Sequence, residues 1–88
     1  MENSPRIARQ VGNTVRRLRS QRGQAQRHVA RLAGIPRAAL SAYERGQRLP
    51  TAPVLASLLA ALDCSEESFS RHFGPFGEVE SIRRRGAL

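Results

Sequence analysis

The 88-residue chain is 40% apolar with one Tyr, three Phe and no Trp, which gives room for one domain with a small, mostly aliphatic core. No apolar run approaches the roughly 18 residues of a membrane span, and the N-terminus lacks the layout of a signal peptide, so a soluble, cytoplasmic protein is expected. The net charge of +8 rests on fifteen arginines and no lysine, and the lone Cys64 leaves no internal disulfide and no cysteine-based zinc site within one chain.

Ser4-Pro5 opens the first segment in helix-start order, a capping residue followed by Pro. Ile7, Val11, Val15 and Leu18 recur at helical spacing, and Gly23 closes the segment. Gly12 and Asn13 weaken its middle, so ordered helix is expected to begin nearer Val11. A second helix fits Ala25 to Ala33, with Val29, Ala30, Leu32 and Ala33 as its inner face, and Gly34 ends it. Ile35 follows as an apolar plug. Pro36 suits the first turn of a third helix reaching about Arg45, with Leu40 and Tyr43 buried and Gly46 as its stop. Thr51 caps a fourth helix that carries Val54, Leu55, Leu58, Leu59 and Leu62. Ser65, with Glu66 and Glu67 in the first turn, opens a fifth that holds Phe69 and ends at Gly74-Pro75. No segment alternates like a strand, so an all-α fold is expected.

The charge is unevenly placed. Residues 6–48 hold eleven Arg against one acid, Glu44, whereas residues 49–82 hold one Arg (Arg71) against five acids. A genome that encodes Arg for Lys would account for the missing lysine but not for this asymmetry. A basic front on an acidic back is the footprint of a polyanion binder.

Residues 26–46 read as a short helix, a glycine-containing turn and a second short helix, the helix-turn-helix order. Ala30 is small where two helices must approach, Gly34 supplies the turn, and Ile35 and Leu40 wedge between the helices. A plain helical hairpin inside any bundle would satisfy the same pattern. Further elements narrow it: Leu18-Arg19 with Arg22-Gly23, Gln26, Val29-Ala30, Ala33-Gly34-Ile35, Tyr43-Glu44-Arg45-Gly46, Leu49-Pro50 and the leucine-rich segment to Leu62. In this order and spacing the chain resembles the Cro and phage-repressor type of helix-turn-helix protein, the XRE family, over about residues 11–73. Residues 1–10 then extend the first helix and residues 74–88 form a tail.

The resemblance implies a five-helix repressor-like domain that binds double-stranded DNA. His28 and His72 sit in no ligand motif and Ser41 lacks a nearby base and acid, so no metal, cofactor or enzyme activity is expected. Arg37, Ala38, Ser41 and Ala42 fall at the base-reading positions of the recognition helix. Arg37 suits a bidentate contact to guanine, and the alanine methyls suit thymine methyls. Gln26, Arg45 and Arg48 fall where the family holds phosphate, Gln26 also bracing the neighbouring recognition residue, and Arg27 and Arg16 join them as phosphate candidates. Arg19 and Glu44 match an internal ion pair, which makes Glu44 structural. The chain departs from the family before the second helix, where Gln24 and Ala25 replace an apolar residue and a Thr or Ser cap, at a cost of about 1 kcal/mol. Arg27 and His28 replace first-turn acids, and Pro36 replaces the usual Ser cap of the recognition helix.

Outside the matched region, Phe76, Val79 and Ile82 recur at three, which predicts a short helix over about 77–85. With Phe69 they are the expected anchors of a homodimer interface, since eleven arginines would keep two front halves apart. Arg83, Arg84 and Arg85 form either a phosphate hook or a solvated end. The expected function is transcriptional regulation, as a repressor, by a dimer on a palindromic operator. An antitoxin or other protein-partnered regulator, and a protein-bridging adaptor that binds DNA weakly, stay open as alternatives.

Overall fold

Apolar side chains spaced three and four apart leave water only when the segments carrying them coil and then meet. The computed structural model describes residues 3–71 and shows five helices: α1 (Asn3–Gln21), α2 (Gln26–Ala33), α3 (Arg37–Glu44), α4 (Ala52–Ala61) and α5 (Glu66–Arg71). No strand occurs among the described residues, so the fold is all-α as expected. α1 packs on α3, α2 packs on both α4 and α3, and α5 lies on α4. Their inner faces form one core around Val11, Val15, Leu18, Val29, Leu40, Tyr43, Leu58, Leu59, Leu62 and Phe69, with Ile7, Ile35, Val54 and Leu55 packed at its edge. Cys64 is a buried free thiol in the same core. Among the described residues, no helix is long and apolar enough to cross a membrane.

Three sequence expectations change here. α1 is continuous from Asn3 through Gly12 and Asn13, rather than beginning near Val11. Gly12 is buried, and a Cβ on it would collide with the Tyr43 carbonyl oxygen and lie 3.0 Å from that of Glu44. The residue that weakens a helix in isolation is the one that lets α1 touch the backbone of α3. Leu32 is not on the inner face of α2 but 56% exposed. Val29 and Ala30 set the inward direction, and Leu32 lies about 200° round the helix from Ala30, whereas Ala33, four after Val29, stays partly buried. Phe69 is 3% exposed and belongs to the core of its own chain, so it is not a surface anchor.

The connections are stapled in one repeated way. Ile35 N–H donates to the Ala30 carbonyl at 3.0 Å and Gly34 N–H to that of Arg31 at 3.2 Å, with Gly34 at φ 73°. That pattern is the Schellman closure, and Ile35 is the apolar residue that follows it onto the core. The same two-bond closure ends α1 (Gln24 to Arg19, Gly23 to Ser20) and α3 (Gln47 to Ala42, Gly46 to Tyr43). It also ends α4 (Cys64 to Leu59, Asp63 to Ala60), where Asp63 takes the left-handed conformation at φ 54°. At the other ends, Val54 N–H donates to Thr51 Oγ1 at 3.4 Å and Ser68 N–H to Ser65 Oγ at 3.0 Å. α2 and α3 have no side-chain cap, because Ala25 and Pro36 occupy those positions.

Candidate nucleic-acid interface

α2, the Gly34 turn and α3 form a helix-turn-helix held on two sides, by α4 behind α2 and by α1 behind α3. Because Leu40 and Tyr43 point into the core, positions 37, 38, 41 and 42 fall on the outer side of α3. Arg37 and Ala38 are exposed, and Ser41 and Ala42 are half-buried. Arg27 at the start of α2, Arg45 and Arg48 after α3, and Arg16 on α1 are exposed as well. An open cleft lined by Ala25, Gln26, Arg27 and Arg37 brings the bare N-terminus of α2 beside the first residue of α3. Two arginines and a helix N-terminus without a side-chain cap border a space open to solvent there, which is the chemistry that holds an anion.

Behind this surface lies a polar knot. Arg19 Nε donates to Glu44 Oε2 at 2.7 Å, and its Nη2 donates to Oε1 at 3.1 Å. Its Nη1 donates to the Gln24 carbonyl at 2.7 Å. The Glu44 side chain is 3% exposed and that of Arg19 15%, so the pair is nearly dry. Gln26 Nε2 adds a third donor to the carboxylate, at 2.9 Å from Oε1. One carboxylate therefore ties α1, the start of α2 and the end of α3 together. The network includes two partners that sequence reasoning did not assign to it, the Gln24 carbonyl and the Gln26 amide. A backbone oxygen leaves no side-chain signal, and Gln26 stood out for phosphate and for bracing a recognition residue, not for the carboxylate. Gln24 Oε1 is buried without a hydrogen-bond partner, a cost of about 1–3 kcal/mol at a site where the family carries an apolar residue.

The two arginines after the recognition helix are ordered by neighbours. Arg45 donates to Ser41 Oγ and, at 3.0 Å, to Gln47 Oε1, so a phosphate candidate and a base-reading candidate are linked. The Arg48 guanidinium lies 5.5 Å from the centre of the Tyr43 ring, a cation–π contact that fixes its direction without neutralising it. Phe76, Val79, Ile82 and Arg83–Arg85 lie outside the described residues.

Residues 10–71 match the family described as helix-turn-helix domain. No curated protein sequence matches the chain. Among solved structures, the restriction-modification controller protein C.AhdI from Aeromonas hydrophila shares 30% sequence identity at a TM-score of 0.69, over 72% of this chain and 96% of that one. The match spans the two-helix unit and the helices that brace it. The chain belongs to the helix-turn-helix domain family, as a DNA-binding transcription regulator of the Cro and phage-repressor type.

Proposed function

We propose that the chain binds double-stranded DNA sequence-specifically as a homodimer and represses transcription from a palindromic operator whose half-sites lie about one helical turn apart. In this reading α3 enters the major groove, with Arg37, Ala38, Ser41 and Ala42 on base edges. Gln26, Arg27, Arg45, Arg48 and Arg16 hold the backbone on either side. A phosphate seated in the cleft at the start of α2 would supply the negative charge that its uncapped first turn lacks. The observation that carries the proposal is the fate of Glu44. It is the one acid between residues 5 and 48, and it is turned inward onto Arg19, so the outer face of the helix-turn-helix presents cationic and uncharged groups alone. Likeness to a restriction-modification controller favours a role of that kind over an antitoxin or a bridging adaptor, and leaves room for a protein partner as a second input.

Selection of bound sequences from a random DNA pool tests this. A two-fold-symmetric consensus is expected, and enrichment of no sequence would overturn the specific-regulator reading in favour of the adaptor. On the selected operator, Arg37→Ala should cost about 1–3 kcal/mol while barely changing affinity for random DNA. Arg48→Ala should weaken both equally and lower the slope of log affinity against log salt by about one.

A further inference from the structure

The helix-turn-helix accounts for the arginines of α2, α3 and the loop after it, but not for those at the front of α1. Arg6, Arg9, Asn13 and Arg16 follow one another at three, four and three residues and are all exposed, so they form one stripe along the outside of α1. Ala8, Val11, Val15 and Leu18 occupy the opposite side, in the core. The stripe carries three positive charges and no acid, and from residue 6 to residue 16 it is about 15 Å long.

Its position is fixed by a close crossing. α1 meets the end of α3 at Gly12, under the Tyr43 and Glu44 carbonyls, and one turn earlier it meets the following loop. A Cβ built on Gly46 would lie 2.9 Å from Arg9 Cα and 2.7 Å from Arg9 Cγ, so the stem of Arg9 runs directly against that loop. Gly46 also sits at φ 74°, so both the turn and the contact exclude a larger residue. Arg9 thereby stands next to the segment that presents Arg45 and Arg48. Between residues 5 and 48 the one acid is the inward-turned Glu44, so no negative charge from these segments stands between the two groups of arginines.

We propose that the Arg6, Arg9 and Arg16 stripe of α1 is a second phosphate-binding surface, contacting DNA backbone beyond the phosphates held by the helix-turn-helix. The proposal rests on the DNA-binding reading above, with Arg16 moved from an isolated contact into this stripe. Guanidinium groups at three of four successive positions along the stripe give an array that matches charge spaced along a strand, not a single anion pocket. Such an array carries no base information, so its contribution is to affinity, footprint length and salt dependence.

The test uses the full chain and the operator selected above, with Arg9→Gln, the combined Arg6→Gln, Arg9→Gln and Arg16→Gln variant, and the corresponding lysine variants. Glutamine and lysine keep the helix propensity, and circular dichroism confirms folding. Each glutamine is expected to lower the salt slope by about 0.9, so that affinity changes about 3-fold less between about 50 and 200 mM salt. The combined variant should also lose hydroxyl-radical protection on part of the backbone while selecting an unchanged consensus, and lysine should restore the slope. A slope and footprint equal to wild type in the combined variant would overturn the stripe. A changed consensus would overturn it as well, because it would assign these side chains to base reading. If the wild-type chain itself shows neither sequence preference nor salt dependence, the DNA-binding reading fails, which is a separate outcome.

Discussion

At the scale of single residues, Gly12 and Glu44 show how one side chain, or its absence, decides a crossing. Glycine inside an exposed helix costs about 1 kcal/mol relative to alanine, so Gly12→Ala would stabilise an isolated α1. Here the new methyl meets backbone of α3, which cannot swing aside as a side chain can. The expected result is a loss of about 1–3 kcal/mol in urea unfolding, the range for overpacking. Asn13→Ala, one position on and exposed, should instead gain a few tenths. Equal effects from both would show that α1 does not approach α3 closely. Glu44→Gln removes the charge that holds Arg19 while keeping the shape. Breaking an enclosed pair costs about 3–5 kcal/mol, and the partial exposure of Arg19 places this one nearer about 3. An unchanged unfolding midpoint would show that the carboxylate is not what stabilises the knot. These two positions also divide what the sequence made legible. The Arg19–Glu44 pair followed from family likeness, whereas Gly12 read as a flaw because its partner is a backbone carbonyl far along the chain. Spacing along one helix does not reveal contact with another.

At the scale of elements, starts and stops were legible where the device is local. Gly34 and Gly46, and the Thr51 and Ser65 caps, act on groups within five residues of themselves, and each behaves in the structure as its type implies. The Asp63 turn was missed because Asp is an uncommon residue for the left-handed conformation that closes α4. Leu32 and Phe69 went wrong for the opposite reason. Hydrophobicity alone does not say which of several apolar residues faces the core, and packing against α4 decided it. The start of α2 is the element most open to improvement, since Ala25 offers no cap and no acid stands in the first turn. Ala25→Ser should raise stability by about 1 kcal/mol. Ala25→Asp should do so at least as well, because a carboxylate also interacts favourably with the positive end of the helix dipole. It would also place a negative charge in the cleft between Arg27 and Arg37. Asp is therefore expected to stabilise the free protein while weakening binding to the selected operator, and Ser to stabilise it with little effect on binding. If both leave DNA affinity alike, the cleft holds no phosphate.

At the scale of the whole molecule, the charge asymmetry separates two tasks. The described arginines lie on α1, α2, α3 and the loops after α1 and α3, apart from Arg71 on α5. Asp63, Glu66 and Glu67 lie around α5 and are exposed. Two copies cannot approach through their arginine faces at moderate salt, so the proposed dimer is formed by the acidic half. With Phe69 committed to the core, the anchors still proposed are Phe76, Val79 and Ile82, beyond the described residues. In the full chain, Phe76→Ser combined with Ile82→Ser is expected to reduce the dimer fraction at micromolar concentration in analytical ultracentrifugation. Helical content should stay unchanged, and operator affinity should fall, because one small module buries too little DNA for tight binding alone. Salt provides an independent arm. An apolar interface should persist or tighten as salt rises, whereas DNA binding through many phosphates weakens by about 0.9 logarithmic units per contact for each tenfold increase. A dimer unaffected by the double substitution would move the interface to exposed parts of α4 and α5. A dimer that dissociates steeply with salt would replace the apolar interface by one built on charge, pairing the acidic half of one copy with the arginine face of another.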